Sequence, residues 1–232
     1  MDASAKPASA TPRPVRERDA ERTRAAILAA ATKEFTANGF GGASVNEVAA
    51  RASINKRMIY HYFGNKEGLF LAVLEAAYAD IRASETALEL AHLDPPEAVR
   101  RLVRFTFDYF VAHPEFLSLL NTENMHGARH LKTSDKIKQM HSPFVGTLAE
   151  LLRRGAKRGE FRGDVDAIQI YISIAGLCWF YLANQHTLST VFDRDLGAEE
   201  ALSTRVGHVE EVILGYLRPN EALDSGRGAD LT

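Results

Sequence analysis

The amino-acid sequence predicts an all-α chain, and three observations predict it. Apolar residues recur at three- and four-residue spacing through nearly every segment. No run alternates apolar and polar residues for long enough to make a strand. Gly and Pro mostly punctuate the periodic runs instead of interrupting them. With 232 residues, 46% of them hydrophobic and 25% charged, the chain can bury one large core or two small ones.

The elements follow in order. Ile27, Leu28, Ala31 and Phe35 form one apolar stripe, which predicts a first helix from about Asp19 to Asn38. Gly39 is its expected left-handed cap, with Phe40 folding back onto the last turn. Ser44 opens a short helix, and Glu47 three residues later completes a capping box. A third helix starts at Asn55 and a fourth at Asn65, running towards Ala91. Pro95 and Pro96 occupy a first helical turn, where the missing amide costs nothing, and that helix runs to about His113. Pro114 disfavours helical geometry before it, and Phe116 to Asn124 is a shorter helix. Lys136 to Arg158 is long, and Pro143 is expected to kink or divide it. Asp164 to His186 is a strongly apolar helix, and Ala198 to Leu217 is the last, closed by Pro219.

The formal net charge of −2 hides an asymmetry. Residues 1–66 carry 11 Lys and Arg against 6 Asp and Glu, whereas the remainder carries 17 against 24. A basic front and an acidic back point to a localised polyanion-binding surface. The single cysteine, Cys178, excludes an internal disulfide framework, fits a reducing cytoplasm, and reads as a buried structural thiol among apolar neighbours. The first residues are rich in Ala, Pro, Ser and Arg without a hydrophobic stretch, so they are not a secretory signal. Arg13, Arg16 and Arg18 there read as a solubilising tail more than as a minor-groove arm. The greasiest stretch, Ile168 to Ala183, is interrupted by Gln169 and Ser173, so a core helix fits better than a membrane span.

The segment from Ser44 to Phe63 is the most informative. Val45, Val48 and Ala49 face inward on one short helix, and Ile54, Ile59 and Phe63 complete a small core with the next. Asn55, Lys56, Arg57, Met58, Tyr60 and His61 are left on the opposite side, where a DNA major groove would lie. Lys56 and Arg57 suit phosphates or guanine edges, and Met58 suits a thymine methyl. Tyr60 and His61 carry donors for backbone oxygens. The free amides near Ser44 and Asn65, with the cation of Lys66, make phosphate sites.

These residues, as they stand, resemble the TetR family: Ile27-Leu28-Ala29-Ala30-Ala31, Phe35, Gly39-Phe40, Ser44, Val48-Ala49, Ala52-Ser53-Ile54-Asn55, and Ile59-Tyr60-His61-Tyr62-Phe63 followed by Asn65-Lys66. The resemblance covers residues 19 to about 75, with one departure: the family usually has Gly where Ser53 stands. It implies that Ser44, Tyr60, His61 and Lys66 contact phosphates, while Lys56, Arg57 and Met58 read bases. It further implies a three-helix DNA-binding domain with a helix-turn-helix (19–66) and a six-helix ligand-binding and dimerisation domain (67–219), flanked by what composition reads as a disordered basic arm (1–18) and a flexible tail (220–232). The last two helices would pair two copies into a homodimer on a palindromic operator. The residues agree, since a helix apolar nearly all round needs cover on several sides and Val206, Val209, Val212, Ile213 and Leu217 form a stripe on the last helix.

A ligand pocket in such a bundle is mostly apolar, with few polar groups. Phe105, Tyr109, Phe116, Asn121, Asn124, Trp179, Phe180 and Asn184 are candidate linings, and Arg129, beside His126 and His130, is a candidate carboxylate partner. Singly each reads as plain core or loop. Together they favour a flat, aromatic or heterocyclic effector, acidic where Arg129 takes part. Glu123, His126 and His130 share the spacing of a metal site, but Gly127 and the polar run weaken the helix there, so no metal or cofactor is expected. The chain has no Gly-rich phosphate loop, no Gly-x-Ser-x-Gly elbow and no paired metal motif, so it does not read as an enzyme. Repression and activation use the same DNA-binding unit, and the resemblance favours repression.

Overall fold

In the computed structural model, which describes residues 15–219, the chain forms ten α-helices and two short 3-10 turns, with no strand among those residues. They are α1 (Val15–Gly42), α2 (Val45–Arg51), α3 (Lys56–Phe63), α4 (Lys66–Thr86), α5 (Pro95–Ala112), α6 (Pro114–Met125), α7 (Asp135–Lys157), α8 (Ala167–Ala183), α9 (Gln185–Phe192) and α10 (Glu199–Leu217). The residues fall into two compact units that divide between Val73 and Leu74, within α4.

The first unit closes around an aromatic cluster. Phe35, Phe70, Ile27, Ile59 and Leu69 are essentially solvent-free, and each such side chain contributes about 2–3 kcal/mol of burial. Phe70 meets Phe35 and Phe40 edge-on, at 4.9 and 5.2 Å between ring centroids. Phe40 reaches that cluster because the α1 helix breaks at Gly39 (φ 62°, ψ 179°), a backbone conformation open essentially to glycine alone. The fold-back of Phe40 is as expected, its ring stacked on Phe35 at 6.2 Å, whereas Gly39 takes a positive φ with an extended ψ in place of the expected left-handed cap, and a further helical turn follows it to Gly42.

The second unit is built on α5, which packs against α6, α7, α8 and α10. Leu102, Val103, Phe107, Leu148, Leu151, Ile170, Ile174, Val209, Ile213 and Leu217 fill its core. On α10 the stripe predicted to face a second copy thus divides: Val209, Ile213 and Leu217 are buried within their own protomer, and Val212 is the large side chain of that stripe left 41% exposed. Among the described residues, no single helix is long and apolar enough to cross a membrane.

Four boundaries differ from the sequence expectation, two of them for visible physical reasons. The first helix starts at Val15, inside the predicted arm; residues 1–14 and the predicted tail, 220–232, lie outside the described residues, as do the side chains of Arg13, Arg16 and Arg18. Helix α4 stops at Thr86 because the chain turns through a left-handed Glu89 (φ 50°) to bury Leu90, and the Arg154 guanidinium caps the carbonyls of Leu90, Ala91 and Leu93. Helix α7 is not divided at Pro143. The predicted helix from Asp164 to His186 is two helices, α8 and α9, bent by 67° at Asn184, which leaves helical geometry (φ −109°, ψ 9°) and closes α8 with both its backbone and side-chain amides on the Phe180 carbonyl (3.2 and 2.8 Å).

Candidate nucleic-acid interface and ligand cavity

The helix-turn-helix is positioned by its own short-range chemistry. Ser44 caps α2, its hydroxyl accepting from the Asn46 amide at 3.3 Å. Asn55 caps α3, its side-chain oxygen accepting from the Arg57 amide at 2.9 Å. Asn65 precedes α4 and accepts from Gly68 at 2.7 Å. A Cβ at Gly68 would collide with the Phe63 carbonyl, so the close approach of α3 to α4 requires glycine. The turn between α2 and α3 passes through a left-handed Ser53 (φ 54°), at the position where a glycine was expected.

The predicted capping box is not what holds Ser44. Its backbone amide donates to Glu34 on α1 (3.0 Å), and Glu47 is exposed. Glu34 is 3% exposed and also accepts from Asn38 (3.0 Å), with the Arg51 guanidinium 3.8 Å away. This carboxylate pins the start of α2 to α1, and sequence reasoning missed it. The signal was present: Glu34 lies seven residues after Ile27, on the buried stripe of α1, where a charge demands partners.

On α3, Ile59 is fully buried while Lys56, Arg57, Tyr60 and His61 are exposed and Met58 is half-buried. The Lys56 ammonium lies over the Tyr60 ring at 5.7 Å. Lys66 lies over Phe40 at 5.0 Å and donates to the Gly41 carbonyl at 3.4 Å, which fixes a cation beside the start of α4. Between Ser44 and Lys66 the only acidic residue is Glu47. The result is a polar, cationic helix face backed by a rigid apolar one.

In the second unit a cavity of about 520 Å³ is lined mainly by Tyr78, Phe110, Phe116, Asn124, His141, Tyr171 and Trp179. Of the predicted ligand residues, Phe116, Asn124 and Trp179 line it. Tyr109 lies behind Phe116 (5.9 Å between rings), its hydroxyl donating to Asp80 at 2.7 Å, and Phe105 packs against Tyr109 at 5.7 Å. Asn121 is half-buried on α6 outside the lining, Phe180 is 55% exposed, and Asn184 caps α8. Arg129 donates to His130 at 3.3 Å, away from the cavity wall. The missed linings, Tyr78, Phe110, His141 and Tyr171, come from four helices, and no spacing in the sequence joins them.

Behind the cavity wall, Arg82 is buried on α4. It donates to the Tyr171 hydroxyl (3.2 Å), pairs with Glu85 (2.8 Å) and lies over Phe144 at 4.6 Å. Burial pushes the Glu85 carboxyl up to about 7, against the opposing pull of Arg82. Burial, then the positive charge of Arg82, lowers the His141 imidazole, keeping it neutral, and burial pushes the Tyr78 phenol up to about 12. The wall therefore offers neutral rings and neutral hydrogen-bonding groups.

The Glu123 cluster does other work. The Glu123 carboxylate accepts from the amides of His130 (2.8 Å) and Leu131 (2.9 Å) and pairs with His130 Nδ1 at 2.6 Å, folding the loop through Gly127 and Ala128 back onto α6. Among the described residues no group of three or more His, Cys, Asp or Glu is placed to hold a metal ion.

Comparisons with known proteins agree on one kinship. Residues 27–73 match the model of bacterial regulatory proteins of the tetR family, and residues 95–213 match a Tetracyclin repressor-like C-terminal domain. The chain is 41% identical over 204 residues to the HTH-type transcriptional repressor NicS of Pseudomonas putida, covering 88% of this chain and 96% of that one. A second HTH-type transcriptional repressor, from Streptomyces coelicolor, is 31% identical over 78% of this chain and 90% of its own length. Among solved structures, a transcriptional regulator of Streptomyces coelicolor superposes with a TM-score of 0.64 at 22% identity, over 84% of this chain and 98% of that one. The regulator FadR from Bacillus subtilis, solved with stearoyl-CoA, gives 0.62 at 16% identity, over 84% of this chain and 99% of that one.

Proposed function

The chain belongs to the TetR family of bacterial transcriptional regulators, and from that premise we propose that it is a dimeric repressor, released from a palindromic operator by a small aromatic or heterocyclic effector. The observation that carries the reading is the polarity of α3: Ile59 at 0% exposure on one side, and Lys56, Arg57, Tyr60 and His61 in solvent on the other. A short helix locked by its apolar face and cationic on its free face suits a major groove. Ser44, Tyr60, His61 and Lys66 hold phosphates in this reading; Asn55, Lys56, Arg57 and Met58 face base edges. Asn55 keeps its side-chain NH₂ for that role while its oxygen caps the helix.

Members of this family bind operators and effectors, typically as dimers. The second copy is assigned to α8 and α10, where Ile168, Ile172, Phe180, Val212 and Tyr216 stand 41–55% exposed, an apolar face that suits a partner surface. The effector is assigned to the cavity of aromatic side chains, whose neutral polar groups orient a flat guest. Its binding then shifts the dimer population towards a spacing that no longer matches successive grooves.

Retardation of duplex fragments by the purified protein tests the DNA half, with the retained fragments sequenced. Affinity falls steeply with salt as phosphate counterions are released. A protein that retains no duplex even at low ionic strength refutes the reading.

A further inference from the structure

Two hollows of the second unit share a wall. The ligand cavity takes Tyr171, Ala175 and Trp179 from α8, four residues apart and therefore on one face. A second hollow of about 590 Å³, beside α10, takes Gln169, Ser173 and Leu177 from α8 with Val212 and Tyr216. Ile172 and Gly176 line both. These two, again four apart, form the ridge between the faces.

The ridge is low and bare. Gly176 has no side chain, and a Cβ built there meets nothing within 4 Å. Ile172 is 54% exposed. Along this line nothing among the described residues of the protomer lies over the cavity. The uncovered line is continuous with the apolar face of Ile168, Phe180, Val212 and Tyr216. The hollow at its centre has no charged side chain in its lining, only Gln169, Ser173 and the Tyr216 hydroxyl among apolar groups, a surface that a second copy of itself can meet in an isologous contact.

We propose that the effector cavity of each protomer is completed by the second copy, which covers the ridge of Ile172 and Gly176 and closes that side of the cavity. The proposal rests on the assignment of the dimer to α8 and α10. It makes effector binding and dimerisation one linked equilibrium: whatever factor the partner adds to effector affinity, the effector adds to dimer affinity. An effector-bound protomer is thus held as a dimer while it leaves DNA.

The chain supplies its own reporter, because Trp179 is the sole tryptophan and lines the cavity. Val212→Glu and Tyr216→Glu each place a carboxylate on the apolar face, at positions outside the ligand cavity. Sedimentation gives their mass, far-ultraviolet dichroism their helicity, and acrylamide quenching the access to Trp179. A second reporter, Leu120→Trp combined with Trp179→Phe, views the cavity from α6. The expected result is folded monomers whose quenching constant rises roughly twofold at both reporters, as a closed site becomes a half-open one. Folded monomers with unchanged quenching, or with a rise at Trp179 alone, overturn the closure and leave the dimer assignment standing. If both carboxylate variants remain dimers, the dimer assignment itself fails, and the closure fails with it.

Discussion

The helix-turn-helix and the ligand cavity are both assembled from helices, but information is distributed in them differently. In the first, each side chain assigned a role lies within 23 residues of the others, and five of the eight sit on α3, whose periodicity decides that they face outward. In the second, the wall draws on α4, α5, α6, α7 and α8, from Tyr78 to Trp179. A local periodicity predicts an exposed helix face; it does not predict which buried rings from distant helices leave a gap between them. The difference also bears on what a mutation does. In the proposed reading a residue on the α3 surface serves binding alone, whereas a ring in the cavity wall holds the fold and shapes the proposed site together.

The sharpest break of that contrast is Phe116→Ala. Phe116 is 6% exposed and meets Tyr78, Tyr109 and Phe110 at 5.7–5.9 Å. Its loss is expected to destabilise the protein by about 3 kcal/mol or more, read as a lower urea midpoint. Stability within 1 kcal/mol of the parent, on the same scale, would show that this wall is not part of the core.

Next in size is a pH effect confined to the second unit. The Glu85 carboxyl titrates near 7 in the folded protein against an ordinary 4.5, so the fold takes up a proton across that window. The stability associated with Glu85 is fully present below about pH 4.5 and is lost as pH rises through 7. The difference is on the order of 3 kcal/mol. Urea midpoints at several pH values should slope downward across the window in the parent protein and flatten in Glu85→Gln. That substitution also weakens the pairing with Arg82, which shifts the level of the curve and not its slope. An unchanged slope in Glu85→Gln would place the titrating group elsewhere.

How much was legible in the sequence follows from the same contrast. The all-helical class, the break at Gly39, the inward set of Val48, Ala49 and Ile59, and the outward set on α3 were all readable, because each depends on neighbours within one or two turns. Two local details were not read. The Ser44 amide goes to Glu34, ten residues back, instead of to Glu47; the division of α8 from α9 falls at Asn184, whose side-chain amide joins its backbone amide on the Phe180 carbonyl. In the cavity, Phe116, Asn124 and Trp179 were reached through aromatic and amide density, while Tyr109 and Phe105 fell one layer behind the wall for the same reason. His141 carried no local mark at all, being one turn from Phe144 on an otherwise ordinary amphipathic helix.

On the first unit the contrast sharpens through binding. Arg57→Ala is expected to cost about 1–3 kcal/mol on the operator and to relax base preference, with the urea midpoint unchanged. Tyr60→Ala with Lys66→Ala should weaken binding to all duplexes alike, and removal of the lysine should lower the salt slope by about one. Competition with unrelated duplexes separates the two patterns. If Arg57→Ala lowered affinity equally for every sequence, it would join the phosphate set.

The smallest effect concerns a backbone angle. Ser53, at φ 54°, holds the turn of the helix-turn-helix in a left-handed conformation, as Ala128 (φ 57°) does in the loop folded by Glu123. A Cβ in that region costs about 1 kcal/mol, and glycine returns part of the gain by loosening the unfolded chain. Ser53→Gly should therefore raise stability by only about 0.5 kcal/mol, whereas Ser53→Val, β-branched at a positive φ, should lower it by about 1 kcal/mol or more. The opposite signs are the test, since a side chain that mattered through its hydroxyl would lose stability in both variants. Ala128→Gly should give a similar small gain in the second unit, because the strain belongs to the backbone and is indifferent to what surrounds it.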